Sequence, residues 1–338
     1  MNFRKAILYS IVAISALAAV SCHKSKDDTD TKLTLSGTLT FDSPIYVLKG
    51  DVLKITPKGL SGNNVDIGYY WTASPMYTTK DTTRCLGDPE TNDGTYNLVV
   101  KDTSVMTFTI GCVAFADGYY TKSASYYCTL VDPDFGGSLD GDGILPGTPK
   151  VRDGRTGKYL FYKTIGDRDW TVRNVNYPES GRSFASSPAM DDIFGRYYTW
   201  EEAQSVCPTG WRLPSDADWL ALAQVGGYTG TDASADFLGA AGSLMANATF
   251  NGSRMWEYWP AVKITNSTGF AALPTGYGIA QTEDEYFGNE YAVFWSSESY
   301  DEEQGVYRMI NVNRPDVMRG TGYKNNFLAP VRCVRDSK

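Results

Sequence analysis

The chain has 338 residues, enough for two domains that each bury a core of their own. Its formal net charge of −8 argues against nucleic acid, which needs a concentrated basic surface, and no run of Lys and Arg along the sequence overrides that average. An anionic membrane surface is disfavoured for the same reason. Seven of the eight tryptophans (all except Trp71) lie after position 165, so the two halves differ in composition.

The first element is a targeting segment. Arg4-Lys5 precedes an apolar run, Ala6 to Val20, that is too short to span a bilayer comfortably and reads as a signal peptide over residues 1–21. Its end, Ala19-Val20-Ser21-Cys22, resembles a bacterial lipobox, which implies that Cys22 is diacylated and becomes the new N-terminus. Residues 22–32 form a polar tether. Within it, Lys26-Asp27-Asp28 is similar to the surface-export signal of Bacteroidetes lipoproteins. The expected location is therefore the bacterial outer membrane, lipid-anchored and surface-exposed. Cleavage removes Arg4 and Lys5 and leaves the mature chain more acidic still.

Residues 33–132 read as β throughout. Leu33 to Phe41 alternates apolar and polar with period two, the pattern of a half-buried strand, and Asp51 to Thr56 repeats it. Asp66 to Trp71, Tyr96 to Val100, Met106 to Phe115 and Ser123 to Val131 complete a set of short strands separated by Gly-, Asn- and Asp-rich turns. Such a set over about 100 residues is the sequence form of an immunoglobulin-like β-sandwich, with Trp71 in its core. Residues 133–150, rich in Gly and Pro, read as a linker. Asp140-Gly141-Asp142-Gly143 opens like a calcium loop, but Val151 stands where the twelfth-position glutamate should be, so an acidic hinge is expected instead.

From 151 to 338 an α+β domain is expected. Tyr159 to Ile165 and Trp170 to Val175 read as strands. Thr199 with Glu202, and Ser215 with Asp218, form two capping boxes, in each of which two side chains satisfy orphan N–H groups at a helix start. Cys207-Pro208 stops the first helix and Gly226-Gly227 the second. A weaker helical pattern covers Ser234 to Met245, and beyond Ala246 short strands alternate with polar loops.

The wording of this half is specific. Gly195 to Trp219, together with Asp153-Gly154-Arg155, Trp170, Arg173 to Tyr177, Gly269 to Tyr277, Phe294 to Ser297 and Val331 to Val334, resembles the Fibrobacter succinogenes major paralogous domain, a domain of C-type-lectin-like fold. The whole chain is thus expected to be an all-β immunoglobulin-like sandwich followed by an α+β C-type-lectin-like domain. In that fold the positions of Cys207 and Cys333 face each other, which implies a disulfide. Three cysteines remain for the first domain. Phe108, Ile110 and Cys112 share one strand face, and Tyr126, Cys128 and Leu130 another, so Cys112–Cys128 is the favoured pair with Cys85 left over; the other pairings stay open.

The only histidine, His23, lies in the tether, which excludes a Ser-His-Asp apparatus and a histidine-ligated zinc from the folded domains. The phrase Arg212 to Trp219 is also similar to formylglycine-generating enzymes, but these need a pair of active-site cysteines near the C-terminus and only Cys333 stands there. Glu257, Glu298 and Asp301 are the carboxylates available for a glycosidase, against their ordinary reading as solvated surface acids. The calcium-binding triplets of true C-type lectins are missing; Arg314-Pro315-Asp316 puts a cation where the first ligand would sit. No metal and no cofactor are expected.

The expected function is a non-catalytic, calcium-independent binding module for a glycan or a surface protein, the alternative being a structural cell-envelope or fimbrial tip subunit. The resemblance places ligands on the strands and loops before the last strand. The residues expected there are Tyr300, Tyr307, Arg308, Asn311, Asn313, Arg314 and Tyr323, with Arg319 and Asn325 as further donors. A second aromatic patch, Trp256-Glu257-Tyr258-Trp259, reads as packed inside.

Overall fold

The computed structural model describes residues 32–62, 64–74, 94–100, 107–134, 136–141, 149–256, 262–282, 284–286 and 288–337. The signal peptide, Cys22, Cys85, Asp142-Gly143 and Glu257 to Trp259 lie outside them. The chain divides into two compact, strand-rich units that meet between Val131 and Asp132.

In the N-terminal unit the strands are β1 (Ser36–Thr40), β2 (Tyr46–Leu48), β3 (Val52–Ile55), β4 (Lys58–Ser61), β5 (Gly68–Ser74), β6 (Tyr96–Val99), β7 (Thr107–Phe115) and β8 (Lys122–Val131). One sheet has the order β2-β8-β7-β5, with β2 parallel to β8 and the other pairs antiparallel. β1 pairs with β4 and β3 with β6. Period-two alternation sends Phe108, Ile110, Cys112 and Ala114 of β7 inward, where they meet Leu39, Ile55, Leu98 and Leu130. Trp71 fills the middle as expected, its indole N–H donating to Gly94 O at 2.8 Å and its ring edge-on to Phe41.

The pairing of Cys112 with Cys128 does not form. Both thiols are buried and free. They lie on neighbouring strands, as the sequence suggests, but Cys112 stands opposite Ala124 and Cys128 opposite Phe108. Four residues of strand, about 13 Å, separate the two positions, whereas a disulfide requires Cα atoms within about 7 Å. Cys128 Sγ instead lies 3.2 Å from both Ser43 Oγ and Pro44 O. Burial pushes the Cys112 thiol up to about 12.

The C-terminal unit begins earlier than expected. Leu139–Gly141, inside the expected linker, pairs with Ala248–Phe250, and Leu139 is buried. There follow β9 (Lys150–Arg152), β10 (Tyr159–Ile165), β11 (Arg168–Thr171), helices α1 (Trp200–Ala203) and α2 (Asp216–Val225), β12 (Tyr291–Ser299), β13 (Gln304–Asn311), β14 (Val317–Tyr323) and β15 (Val334–Asp336). Strands β9-β10-β11-β15 form one antiparallel sheet, so the last strand returns beside the first ones. Strands β12-β13-β14 form another.

Both capping boxes are present, and α2 ends at Gly226, ahead of Gly227 at φ +103°. The helix expected over Ser234 to Met245 shrinks to Ala241–Leu244, because the residues before it cross over an arginine described below. Trp219, Leu222 and Ala223 of α2 pack on Trp170, Phe270 and Phe294. The disulfide Cys207–Cys333 closes the turn after α1 onto the approach to β15, with Cα atoms 5.8 Å apart.

Candidate ligand-binding face

The region between Trp295 and Asn326 folds as the β12–β13–β14 sheet, whose two faces alternate along each strand. On one face Tyr307 packs edge-on to Trp295 and stacks on Phe327, with ring centroids 4.9 Å apart. Across from it stands Gly320, where a Cβ would come within 2.5 Å of the Tyr307 ring. Burial raises the Tyr307 phenol. This ring is a packing element.

The opposite face carries Arg308, which is fully buried. Its Nε donates to Asp216 Oδ1 at 3.2 Å, its terminal nitrogens donate to Ala235 O at 2.7 Å and to Ala233 O, and its guanidinium lies 4.1 Å from the Phe237 ring centre. Next to it on β14, Arg319 Nε donates to the other oxygen of Asp216 at 2.8 Å. Two residues on in α2, Asp218 accepts from Arg212, from Arg168 Nε at 3.2 Å, and from both N and Oγ of Ser215 at 2.8 Å. Burial alone would raise the Asp218 carboxyl, but these donors outweigh it and hold it at about 2. The Arg212 to Trp219 phrase is therefore a clamp: its two aspartates tie the start of α2 to four arginines drawn from β11, the preceding turn, β13 and β14.

The seven residues expected to form one ligand site are consequently distributed over three places. Tyr307 and Arg308 lie within the packed unit. Asn311, Asn313 and Arg314 lie at the β13–β14 turn, where Asn311 Oδ1 accepts from Asn313 N at 2.6 Å and Arg314 pairs with Asp316 at 3.5 Å. Tyr300 and Tyr323 stand at the other end of β13, about 24 Å away at the rise of an extended strand.

That second end carries two exposed aromatic rings. Tyr300 N donates to Gln304 O, and Gln304 stands directly opposite Tyr323, so Tyr300, one residue past the end of β12, and Tyr323 on β14 flank Gln304. They are 61% and 55% exposed, although large aromatics are normally covered. Lys324 braces the adjoining loop, its amine donating to Asp301 O and Glu302 O and lying 4.7 Å from the Trp200 ring centre. Of the second aromatic patch, Trp256 is buried, as expected. Among the described residues no group of three or more His, Cys, Asp or Glu side chains could hold a metal.

The sequence profile of the Fibrobacter succinogenes major domain matches residues 164–335, which includes both helices, the clamp and the three-stranded sheet. No curated protein matches the chain.

Proposed function

The chain belongs to the Fibrobacter succinogenes major domain family, and from that premise we propose that it is a lipid-anchored outer-membrane protein whose C-terminal unit is a non-catalytic, calcium-independent binding head of C-type-lectin-like fold. The observation that carries the reading is the pair of exposed rings, Tyr300 and Tyr323, on either side of the half-buried Gln304 at a braced sheet end. Paired rings stack on sugar or peptide planes, and a central amide supplies direction. The return of β15 beside β11 and the Cys207–Cys333 bond support the lectin-like arrangement. In the N-terminal unit, a first-edge strand parallel to the last strand, with separate β1–β4 and β3–β6 pairings over one core, supports an immunoglobulin-like sandwich that serves as the stalk.

Calcium independence is supported at Arg314-Pro315-Asp316, where Asp316 accepts from Gly239 N at 3.0 Å and faces Arg314. The buried carboxylates Asp216, Asp218 and Asp191 are held by arginines, which favours a structural use over a catalytic one.

The test is a glycan array and a surface-protein capture with the full chain, repeated with chelator and with Tyr300→Ala and Tyr323→Ala. Each substitution is expected to weaken the captured interaction by about tenfold or more, and chelator to leave it unchanged. Undiminished binding by both variants would remove the tyrosine row from the reading. Anchoring is tested separately: Cys22→Ser should leave the protein unprocessed or release it from the membrane fraction.

A further inference from the structure

The β9–β10 hairpin carries a second surface of different chemistry. Tyr159, Phe161 and Lys163 alternate along β10 and share one face. Directly opposite on β9 stand Arg152, across from Tyr159, and Lys150, across from Phe161. The Lys150 amine lies 4.4 Å from the Tyr159 ring centre, and the Arg173 guanidinium, arriving from beyond β11, lies 5.6 Å from that of Phe161. Gly269 makes room for Lys163, since a Cβ there would stand 2.2 Å from its Nζ. Two aromatic rings and four cations thus occupy a strip about 13 Å long.

Among the described residues none of Lys150, Arg152, Lys163 and Arg173 makes an ion pair, while elsewhere in the unit Arg155, Arg168, Arg196, Arg212, Arg308 and Arg335 all do. The Asp192 carboxylate is engaged by Lys158 at 2.8 Å and by Asn176; Arg173 donates to its backbone carbonyl at 3.4 Å and feels its charge without pairing with it. Behind the strip lies a fifth uncompensated cation. Arg332 is fully buried and donates only to neutral acceptors: Asn174 Oδ1, Thr171 O, Phe270 O and Ala271 O, at 2.7 to 2.9 Å. Its charge and that of Arg173 oppose each other. An anion on the strip would relieve that repulsion, and among the described residues these five cations make no ion pair.

We propose that this hairpin face binds an acidic polysaccharide, one whose sugar rings stack on Tyr159 and Phe161 while Lys150, Arg152, Lys163 and Arg173 take its carboxylate or sulfate groups. Interleaved rings and cations along an edge hairpin suit an extended chain of alternating flat and charged parts. A lipid surface would favour projecting aliphatic side chains, and this strip has none. The site is separate from the tyrosine row, so each can fail without the other.

The experiment measures binding of the full chain to polygalacturonate and dextran sulfate, with uncharged dextran and phosphatidylglycerol vesicles as comparisons. Binding to one or both polyanions is expected, weakening as salt rises, with none to dextran. The double variant Lys150→Glu/Arg152→Glu and the variant Tyr159→Ala should each lose tenfold or more, with circular dichroism unchanged because all three positions are exposed. Lys163→Gln should lose less, and Tyr300→Ala should bind like wild type. Wild-type affinity in the double variant, equal binding of dextran, binding of neither polyanion, or capture by vesicles alone would each overturn the assignment.

Discussion

Replacing Asp218 by Asn keeps the shape of the side chain and removes its charge. The native carboxylate accepts from Arg212, Arg168 and Ser215, and its pKa stands at about 2 against an ordinary 3.8. Because the folded-state value is lowered, the carboxylate contributes stability that is complete above about pH 4 and is lost as pH falls through about 2. The shift corresponds to about 2 kcal/mol at neutral pH. The side chain is 3% exposed, so solvent screening does little to reduce that figure. Both arginines are partly exposed, at 46% and 28%, and can rehydrate when the charge goes, which keeps the loss below the 3–5 kcal/mol typical of a fully buried broken pair. Urea, being uncharged, is the suitable denaturant. Tryptophan fluorescence is the suitable signal, since seven of the eight tryptophans lie in the C-terminal half. Asp218→Asn should be about 2 kcal/mol less stable than wild type at pH 7, the gap narrowing to roughly half by pH 3. A gap under about 0.5 kcal/mol at pH 7, or one that is the same at both pH values, would refute the clamp.

Cys333→Ser opens a loop with a sequence separation of 126 and should cost about 4–5 kcal/mol, with reductant lowering the melting temperature of wild type and not of the variant. Arg308→Ala leaves Asp216 with Arg319 alone beneath a buried cavity and should destabilise by about 3–5 kcal/mol in urea unfolding. Tyr300→Ala and Tyr323→Ala should stay within about 0.5 kcal/mol of wild type in the same assay. Cys112, buried and with its thiol raised to about 12, should resist alkylation at pH 8 in the native protein and react once unfolded, as read residue by residue by mass spectrometry.

What was legible in the sequence was local. Thr199 with Glu202 and Ser215 with Asp218 announce two helix starts because a capping box is complete within four residues. Tyr159–Ile165, rich in aromatic and β-branched residues, is the strand it reads as. Register was not legible. Cys112 and Cys128 do face one core from adjacent strands, but four residues of offset, fixed only by the turn at Asp117-Gly118, keep them apart. Nor was the fate of Arg308. Val306, Arg308 and Ile310 alternate as an inward face, and a charge at the centre of such a face signals a buried partner, yet Asp216 lies 92 residues away.

The same limit explains why net charge misleads about the β9–β10 hairpin. Lys150, Arg152, Lys163 and Arg173 span 24 residues of sequence, never adjacent, and a count along the chain averages them with Asp153, Asp167 and Asp169. Folding pairs two of those acids with arginines of their own: Asp153 is held by Arg155 and Asp169 by Arg335, while Asp167, exposed, shares Arg168 with Asp218. Strand pairing then sets two of the cations across from Tyr159 and Phe161. An approaching ligand feels charges within a screening length of roughly 8–10 Å, not the total for the chain. The argument against nucleic acid and an anionic membrane drawn from −8 therefore describes the average surface and does not set the local field at a strip beside which Asp153 and Asp169 are each held by an arginine.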